Sequence, residues 1–141
     1  GVGRVYLFRG GAAGIASQTT AGAHAVLTGD LGADHFGLSL ALTDTNLDGF
    51  PELLVTAPVH NSNRGRVYIF KNSGAGLVSK NASAADQIIT GNSMNTGFGD
   101  QISTYDLNGD GYSDTTVGAS MYPARTSLYI WWRSSRFDRA D

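Results

Sequence analysis

The sequence predicts an all-β fold built from a repeated sheet of four short antiparallel strands. Landmark motifs recur at one constant spacing, and the apolar residues between them alternate with the period of a β-strand. No amphipathic helix of ten or more residues is recognisable. Nineteen glycines against three prolines also favour many tight turns between short strands.

The repeat is carried by four landmarks that keep one order along the chain and share the spacing from Asp44 to Asp106. They are those two acids, the pairs Phe36-Gly37 and Phe98-Gly99, "GRVYLF" at 3–8 with "GRVYIF" at 65–70, and "LTGD" at 27–30 with "ITGN" at 89–92. A further match, "SLYIWW" at 127–132, comes one position early, as the spacing from Tyr68 to Tyr129 shows. Agreement between independent landmarks indicates a structural repeat.

Each period contains strand-length segments separated by turns. "FGLSLAL" at 36–42 alternates large leucines with small residues, which predicts a strand with one closely approached face. "ELLVTAP" at 52–58 and "GRVYIF" are apolar on both faces, which predicts strands covered on both sides. The expected order is strand, acidic loop, strand, Gly/Asn loop, strand, longer loop, and a strand ending in "TG".

Sheets covered on both faces fit the blades of a β-propeller, in which each sheet lies between its neighbours. A β-sandwich would explain the strands but not the period. We expect a propeller segment over 1–132 and a C-terminal tail at 133–141. The segment divides into a partial blade at 1–35, a full blade at 36–91 and a partial blade at 92–132.

Composition excludes several classes of function. A chain of 141 residues that is 41% hydrophobic can bury a core. Its net charge of −2 has the wrong sign for a nucleic-acid site. No apolar run reaches membrane-spanning length, so we expect no membrane insertion. Without cysteine it has no disulfides or thiolate metal sites. The sequence begins with Gly1 rather than Met, so we expect that a leader has been removed or that the chain is part of a longer protein.

No catalytic constellation is visible, so we expect a protein that is not an enzyme. The sequence has neither a nucleophile elbow nor a phosphate-binding loop. Its three histidines, His24, His35 and His60, show no ligand spacing and fall near loops. We expect them to be solvated or to lie in turns.

Two acidic loops, "DTNLDGFPE" at 44–52 and "DLNGDGYSD" at 106–114, hold six of the twelve acidic residues. Three carboxylates in one short loop repel one another unless a cation neutralises them. Ca²⁺ takes six to eight oxygen ligands, and alternate residues of a tight loop can point carboxylates at one centre. The alternative to a metal-binding loop is a solvated Asp/Asn/Gly turn.

The order of these motifs resembles the FG-GAP repeat, the blade unit of integrin α-chain propellers and of glycosylphosphatidylinositol-specific phospholipase D. The resemblance runs from Gly3 to Trp132 and includes Phe36-Gly37, the acidic loop, "TAP" at 56–58 and "GRVYIF". It implies an incomplete propeller of about two repeats, or one completed by another molecule. It also implies calcium loops of the hairpin type rather than EF-hands, whose twelfth position would need Glu.

Two Ca²⁺ sites are therefore expected, with matching ligands in the two loops. The first set is Asp44, Asn46, Asp48, the carbonyl of Phe50, and Glu52; the second is Asp106, Asn108, Asp110, the carbonyl of Tyr112, and Asp114. Gly49 allows the sharp turn of the first loop. Glu52 departs from the Asp that is usual in the family, and its longer arm changes the geometry of the first site.

The sequence leaves two classes of function open. The first is a calcium-stabilised extracellular structural or adhesive module that binds a protein or glycan, and the second is an accessory propeller of a secreted enzyme. We favour the first class and expect a glycan at Asn81, in an "NAS" acceptor outside any predicted strand. Because the expected blades are incomplete, we expect the missing strands from a longer chain or from copies joined head to tail.

Overall fold

The computed structural model describes residues 1–120 and 129–131, and in these residues the regular structure is almost entirely β. The ten strands are β1 (Val2–Leu7), β2 (Ala25–Gly32), β3 (Leu40–Thr43), β4 (Glu52–Ala57), β5 (Arg66–Phe70), β6 (Lys80–Asn81), β7 (Gln87–Thr90), β8 (Phe98–Tyr105), β9 (Asp114–Ala119) and β10 (Tyr129–Trp131). Short 3₁₀ turns lie at Thr20–Gly22 and Ala82–Ala84, and a single helical turn lies at His60–Asn63. Trp132 and the expected tail at 133–141 lie outside the described residues.

The central sheet has the order β3-β4-β5-β7, and all of its neighbouring strands are antiparallel. This arrangement confirms the predicted blade of four antiparallel strands. The other two sheets have the orders β1-β2-β6 and β10-β9-β8. In the third sheet Tyr129 pairs with Val117, as Tyr68 pairs with Val55 in the central sheet, so the match between Tyr68 and Tyr129 has a structural counterpart.

The central sheet is packed on both faces, as its apolar strands predict. One face contributes Val55, Tyr68 and Phe70 to a core shared with Val5 and Leu27 of the first sheet. The opposite face packs against the third sheet. That second core contains Leu54, Val67, Ile69, Phe98 and Val117.

The Phe-Gly pairs form the tightest contacts between neighbouring sheets. The backbone of Phe36 lies so close to Gly3 that a Cβ on this glycine would overlap the Phe36 carbonyl. A Cβ on Gly29 would lie 2.8 Å from the Cβ of Phe36. Since residues 65, 91 and 98 repeat this arrangement, each Phe-Gly corner is seated on two glycines of the preceding sheet.

The first strand of the central blade differs from its prediction. The regular ladder begins at Leu40 rather than at residue 36, because His35 and Gly37 have φ of 59° and 90° and turn the chain out of the extended conformation. Leu40 and Leu42 also lie on the face that looks toward the first sheet, and they are 48% and 63% exposed. Among the described residues, the first sheet has no strands equivalent to β3 and β4 that could cover these two leucines.

The longer loop between β5 and β7 links the central blade to the first sheet. Its β6 segment pairs in parallel with β2, with Leu27 opposite Lys80 and Thr28 opposite Asn81. Asn81 was expected outside any strand, and that expectation is wrong. The pairing partner comes from the preceding sheet, so no local sequence pattern signals the strand.

His60 lies at the start of the helical turn His60–Asn63, in keeping with the predicted turn, but its side chain is buried rather than solvated. It is 7% exposed, and its Nδ1 lies 3.7 Å from Oδ2 of Asp34, which is 3% exposed. Burial lowers the pKa of His60 below its ordinary value of 6.5, and the nearby Arg66 lowers it further against the opposing pull of Asp34. The other two histidines, His24 and His35, are exposed, as expected.

We predict that Gly65→Ala destabilises the fold far more than Gly14→Ala. Both glycines have positive φ, but a Cβ at Gly65 would overlap the carbonyl of Phe98, whereas a Cβ at Gly14 would meet no described residue within 4 Å. The expected cost is about 3 kcal/mol or more for Gly65→Ala and about 1–2 kcal/mol for Gly14→Ala. Denaturant unfolding of the two variants measures the difference, and equal costs would contradict the close contact.

We also predict that acid destabilises the protein through His60. The unfolded chain binds a proton at this residue more tightly than the folded chain does, so stability rises with pH across this range. The contribution is complete above about pH 6.5 and is lost as the pH falls through the lower folded pKa. Urea unfolding between about pH 7.5 and about pH 5 should show this slope. The slope should shrink in His60→Asn and persist in the matched exposed variant His35→Asn.

Candidate metal-binding loops

The first acidic loop is held together by its own carboxylates. Asp44 Oδ1 accepts a hydrogen bond from the amide of Asp48 at 3.2 Å, and its Oδ2 accepts one from the amide of Gly49 at 2.8 Å. Asn46 Oδ1 accepts from the amide of Asp48 at 3.0 Å, and Asp48 Oδ1 accepts from the amide of Phe50 at 2.8 Å. The loop therefore folds around its Asp and Asn side chains.

The second loop repeats this hydrogen-bond pattern one period later. Asp106 accepts from the amides of Gly109 and Gly111, both at 2.8 Å. Asn108 Oδ1 accepts from the amide of Asp110 at 2.9 Å, and Asp110 Oδ1 accepts from the amide of Tyr112 at 2.9 Å. Two sequences that differ at several positions thus adopt one loop geometry.

Each loop is tied back to the strand that follows it by a buried acid. Glu52, the first residue of β4, is 1% exposed, and its Oε2 accepts from the Thr45 amide at 2.9 Å and from the Thr45 hydroxyl at 2.6 Å. Asp114, the first residue of β9, is 4% exposed and accepts from the Leu107 amide at 2.9 Å. The Glu and the shorter Asp therefore close their loops by the same contact.

Thr45 and Leu107 are site residues that the sequence analysis missed. Both act through backbone amides, which every residue other than proline carries, so residue type gave no signal for Leu107. For Thr45 the only available signal was a hydroxyl inside a loop of acids.

The donor chemistry of the first loop fits a hard cation such as Ca²⁺. Glu52 Oε1 is buried and has no hydrogen-bond partner among the residues that the structure describes, although its companion Oε2 reaches into the loop. A buried carboxylate oxygen without a partner is costly, and a cation would satisfy it. The loop oxygens that accept amide hydrogens keep further lone pairs for a metal.

The structure does not gather these carboxylates around one point. Within the described part of the chain, no three His, Cys, Asp or Glu side chains are grouped closely enough to hold a metal ion. The acids instead face the amides of their own loops. The ten ligands assigned from the sequence, including the carbonyls of Phe50 and Tyr112, therefore remain a prediction.

Both loops border one cleft between the central sheet and the third sheet. The cleft has a volume of about 420 Å³. The central sheet and the residue after β5 line it with Ile69, Lys71, Gln87 and Ile89; the loops line it with Thr45, Asn46 and 112–114, and β9 adds Thr115. Because the two loops repeat in register, they lie at the same end of their sheets.

Asn81, the expected glycosylation residue, has an exposed side chain although its backbone pairs in β6. Ser83 of the acceptor triplet is exposed as well, but Ala82 between them is buried in the core shared with the first sheet. A glycan on Asn81 would thus project from a segment that is itself docked.

None of the helices in the described residues has the length and apolar character needed to cross a membrane.

The stacked antiparallel sheets, the Phe-Gly corners and the paired acidic loops define blades of a β-propeller. A protein-family model, "FG-GAP repeat", matches residues 36–70 and 98–131. Both matches begin at a Phe-Gly corner. The chain belongs to the FG-GAP repeat family.

Curated relatives match most of this chain but only a small part of their own length. Integrin alpha-2 of Bos taurus is 34% identical over 125 residues, which cover 83% of the chain and 10% of the relative. Phosphatidylinositol-glycan-specific phospholipase D of Homo sapiens is 32% identical over 129 residues, which cover 86% of the chain and 15% of the relative. Integrin alpha-IIb of Mus musculus is 37% identical over 102 residues, or 66% of the chain and 10% of the relative.

Proposed function

We propose that this chain is a calcium-stabilised, non-catalytic propeller module that acts outside the cell in a structural or adhesive role. The observation that carries the proposal is the pair of acidic loops with one hydrogen-bond pattern. In the first loop, Glu52 has a buried carboxylate oxygen without a hydrogen-bond partner in the described part of the chain. An extracellular setting supplies the millimolar calcium that weak sites of this kind need. The likeness to integrin alpha chains supports the adhesive role.

Calcium would act on stability because it joins parts of each blade that are separated in sequence. Asp44 follows β3, whereas Glu52 begins β4, so a cation bound to both would hold β3 and β4 together at the loop that connects them. The same holds for Asp106 after β8 and Asp114 at the start of β9. Two bound cations would also relieve repulsion among six acids.

The module would engage a protein or glycan through its loops. The cleft between the two acidic loops offers an aromatic ring, Tyr112, beside Asn46, Lys71 and Gln87. Such a mixture of one apolar surface with several hydrogen-bonding groups is typical of sites that orient a polar ligand.

A second candidate is an accessory propeller of a larger secreted enzyme. The match to phosphatidylinositol-glycan-specific phospholipase D, which covers 86% of this chain, is the observation that favours it. The chemistry would then reside on another part of the polypeptide. A full-length transcript decides between the candidates: a hydrolase domain in the same reading frame supports the accessory role, and its absence supports the adhesive role.

We predict that calcium raises the melting temperature and that chelation lowers it. At a concentration ten times the dissociation constant, each site should add about 1.4 kcal/mol of stability. Titration calorimetry should find two ions bound to the native chain and one to Asp48→Ala or Asp110→Ala. The exposed Asp30→Ala, which lies outside both loops, is the charge-matched control and should keep two.

The same experiment can overturn the calcium proposal. A double variant, Asp48→Ala with Asp110→Ala, that still binds two ions would show that the ligands lie elsewhere. A native chain that gives no heat of binding and melts identically with a chelator would show that the loops are ordinary hydrogen-bonded turns.

We predict that material from a secreting eukaryotic source carries a glycan on Asn81, since the side chains of Asn81 and Ser83 are both exposed. Intact-mass measurement before and after glycosidase treatment tests this, with Asn81→Gln as the variant that should lose the mass difference. An unmodified Asn81 in such material contradicts the prediction.

A further inference from the structure

The second acidic loop contains an asparagine followed by a glycine, and the first does not. Asn108-Gly109 is the one Asn-Gly pair in the sequence, and its counterpart one period earlier is Asn46-Leu47. Asn108 is half-buried and Gly109 is exposed, so water reaches the pair. Gly109 has a φ of 75° and Leu47 a φ of 60°, so both loops turn through the left-handed region here. The loops therefore differ in residue type at a position where their backbones agree.

An asparagine side chain can react with the backbone nitrogen of the residue that follows it. That nitrogen bonds to Cγ, the bond from Cγ to Nδ2 breaks, and Nδ2 leaves as ammonia with the proton of the backbone amide. Water then opens the cyclic imide: its oxygen bonds to one carbonyl carbon, a proton returns to the nitrogen, and the product is aspartate or isoaspartate. A following glycine favours this deamidation because it has no side chain to obstruct the approach and its backbone rotates freely.

In the folded loop, hydrogen bonds hold the reacting groups of Asn108 and Gly109 in place. The Gly109 amide donates to Asp106 Oδ1 at 2.8 Å. Asp110 holds both ends of the Asn108 side chain: Asn108 Oδ1 accepts from the Asp110 amide at 2.9 Å, and Asn108 Nδ2 donates to Asp110 Oδ2 at 3.2 Å. The backbone nitrogen can attack Cγ only after these bonds break, so the reaction depends on local opening of the loop.

We propose that Asn108 is a self-modification site that deamidates through Gly109 in the folded chain, at a rate set by opening of the second acidic loop. The loop lies at the surface, where Leu107 and Tyr112 are 53% and 44% exposed. Local opening of a surface loop costs much less free energy than global unfolding, so the folded protein samples the reactive state. The reactants are this chain and water, and the reaction needs no cofactor or second enzyme.

The product disturbs the second loop and leaves the first one intact. Deamidation of Asn108 removes the donor to Asp110 Oδ2 and places a new negative charge beside that carboxylate. Isoaspartate also routes the backbone through Cβ and Cγ, which lengthens it by one atom and moves the Gly109 amide away from its acceptor. Asn46 has no glycine after it, so the first loop keeps its bonds to Asp48. One of two matched loops therefore changes with age while the other persists.

Peptide mapping of the aged chain tests the proposal. The folded chain is incubated at mildly alkaline pH with a chelator, so that the outcome does not depend on the proposed calcium sites, and digests are analysed over time by mass spectrometry. We expect the peptide containing Asn108 to gain the mass difference between an amide and an acid. Isomerisation of Asp48 or Asp110, which also precede glycines, leaves the mass unchanged, so the mass gain identifies deamidation.

A reciprocal exchange between the two loops supplies matched variants. Gly109→Leu should abolish the mass gain at Asn108, and Leu47→Gly should introduce one at Asn46. Both variants should keep the fold, because Leu47 already places a side chain at this loop position with positive φ. A Cβ on Gly109 would also meet no described residue within 4 Å. A melting curve of each variant under the incubation conditions checks that the chain is folded.

A second pair of variants tests the dependence on loop opening. Asp106→Ala removes the acceptor of the Gly109 amide, so deamidation of Asn108 should become about fivefold faster or more. Asp44→Ala makes the same change in the first loop and is the control, which should leave the rate at Asn108 unchanged.

Three results would overturn the proposal. The first is an unmodified Asn108 in the folded chain after a time in which a synthetic peptide of residues 105–113 has converted, which would show that the loop stays closed. The second is a mass gain that appears first at another asparagine, or that persists at Asn108 in Gly109→Leu. The third is an equal rate of deamidation in the unmodified chain and in Asp106→Ala.

Discussion

The seating of each Phe-Gly corner on two glycines of the preceding sheet is the contact on which the other features depend. Phe36 approaches Gly3 and Gly29 so closely that neither position has room for a side chain. Since Phe98 approaches Gly65 and Gly91 in the same way, the spacing between sheets is set by backbone contact rather than by adjustable side chains. A fixed spacing lets the same apolar positions meet in every repeat.

The position of each acidic loop follows from the position of its Phe-Gly corner. The corner precedes β3 or β8, and the acidic loop follows that strand at the far end of the sheet. There Glu52 or Asp114 binds the loop to the start of the next strand. The two loops consequently match in hydrogen bonding although the first closes with Glu and the second with Asp. Loop geometry in this chain is a consequence of blade geometry, and the acids then supply the chemistry.

Much of the fold could be predicted from the sequence because the features that set it are local or periodic. The residues of strands such as Arg66–Phe70 show in the sequence that both faces are apolar, and the constant repeat spacing assigns the strands to successive blades. The sequence analysis failed where a contact joins distant residues. Asn81 is in a strand because β2 lies beside it, and His60 is buried because Asp34 meets it from another segment. Leu40 was read correctly as a strand residue, but which face would be covered depended on a neighbouring sheet.

The proposed calcium sites and the proposed ligand cleft meet at one place in the molecule. Both acidic loops line the cleft between the central sheet and the third sheet, with Thr45 on one side and Tyr112 on the other. A cation that orders these loops would remove part of the entropy cost of binding a ligand in the cleft, and the ligand would in turn order the loops for the cation. Such coupling is reciprocal by thermodynamic necessity, so any factor by which calcium tightens ligand binding equals the factor by which the ligand tightens calcium binding.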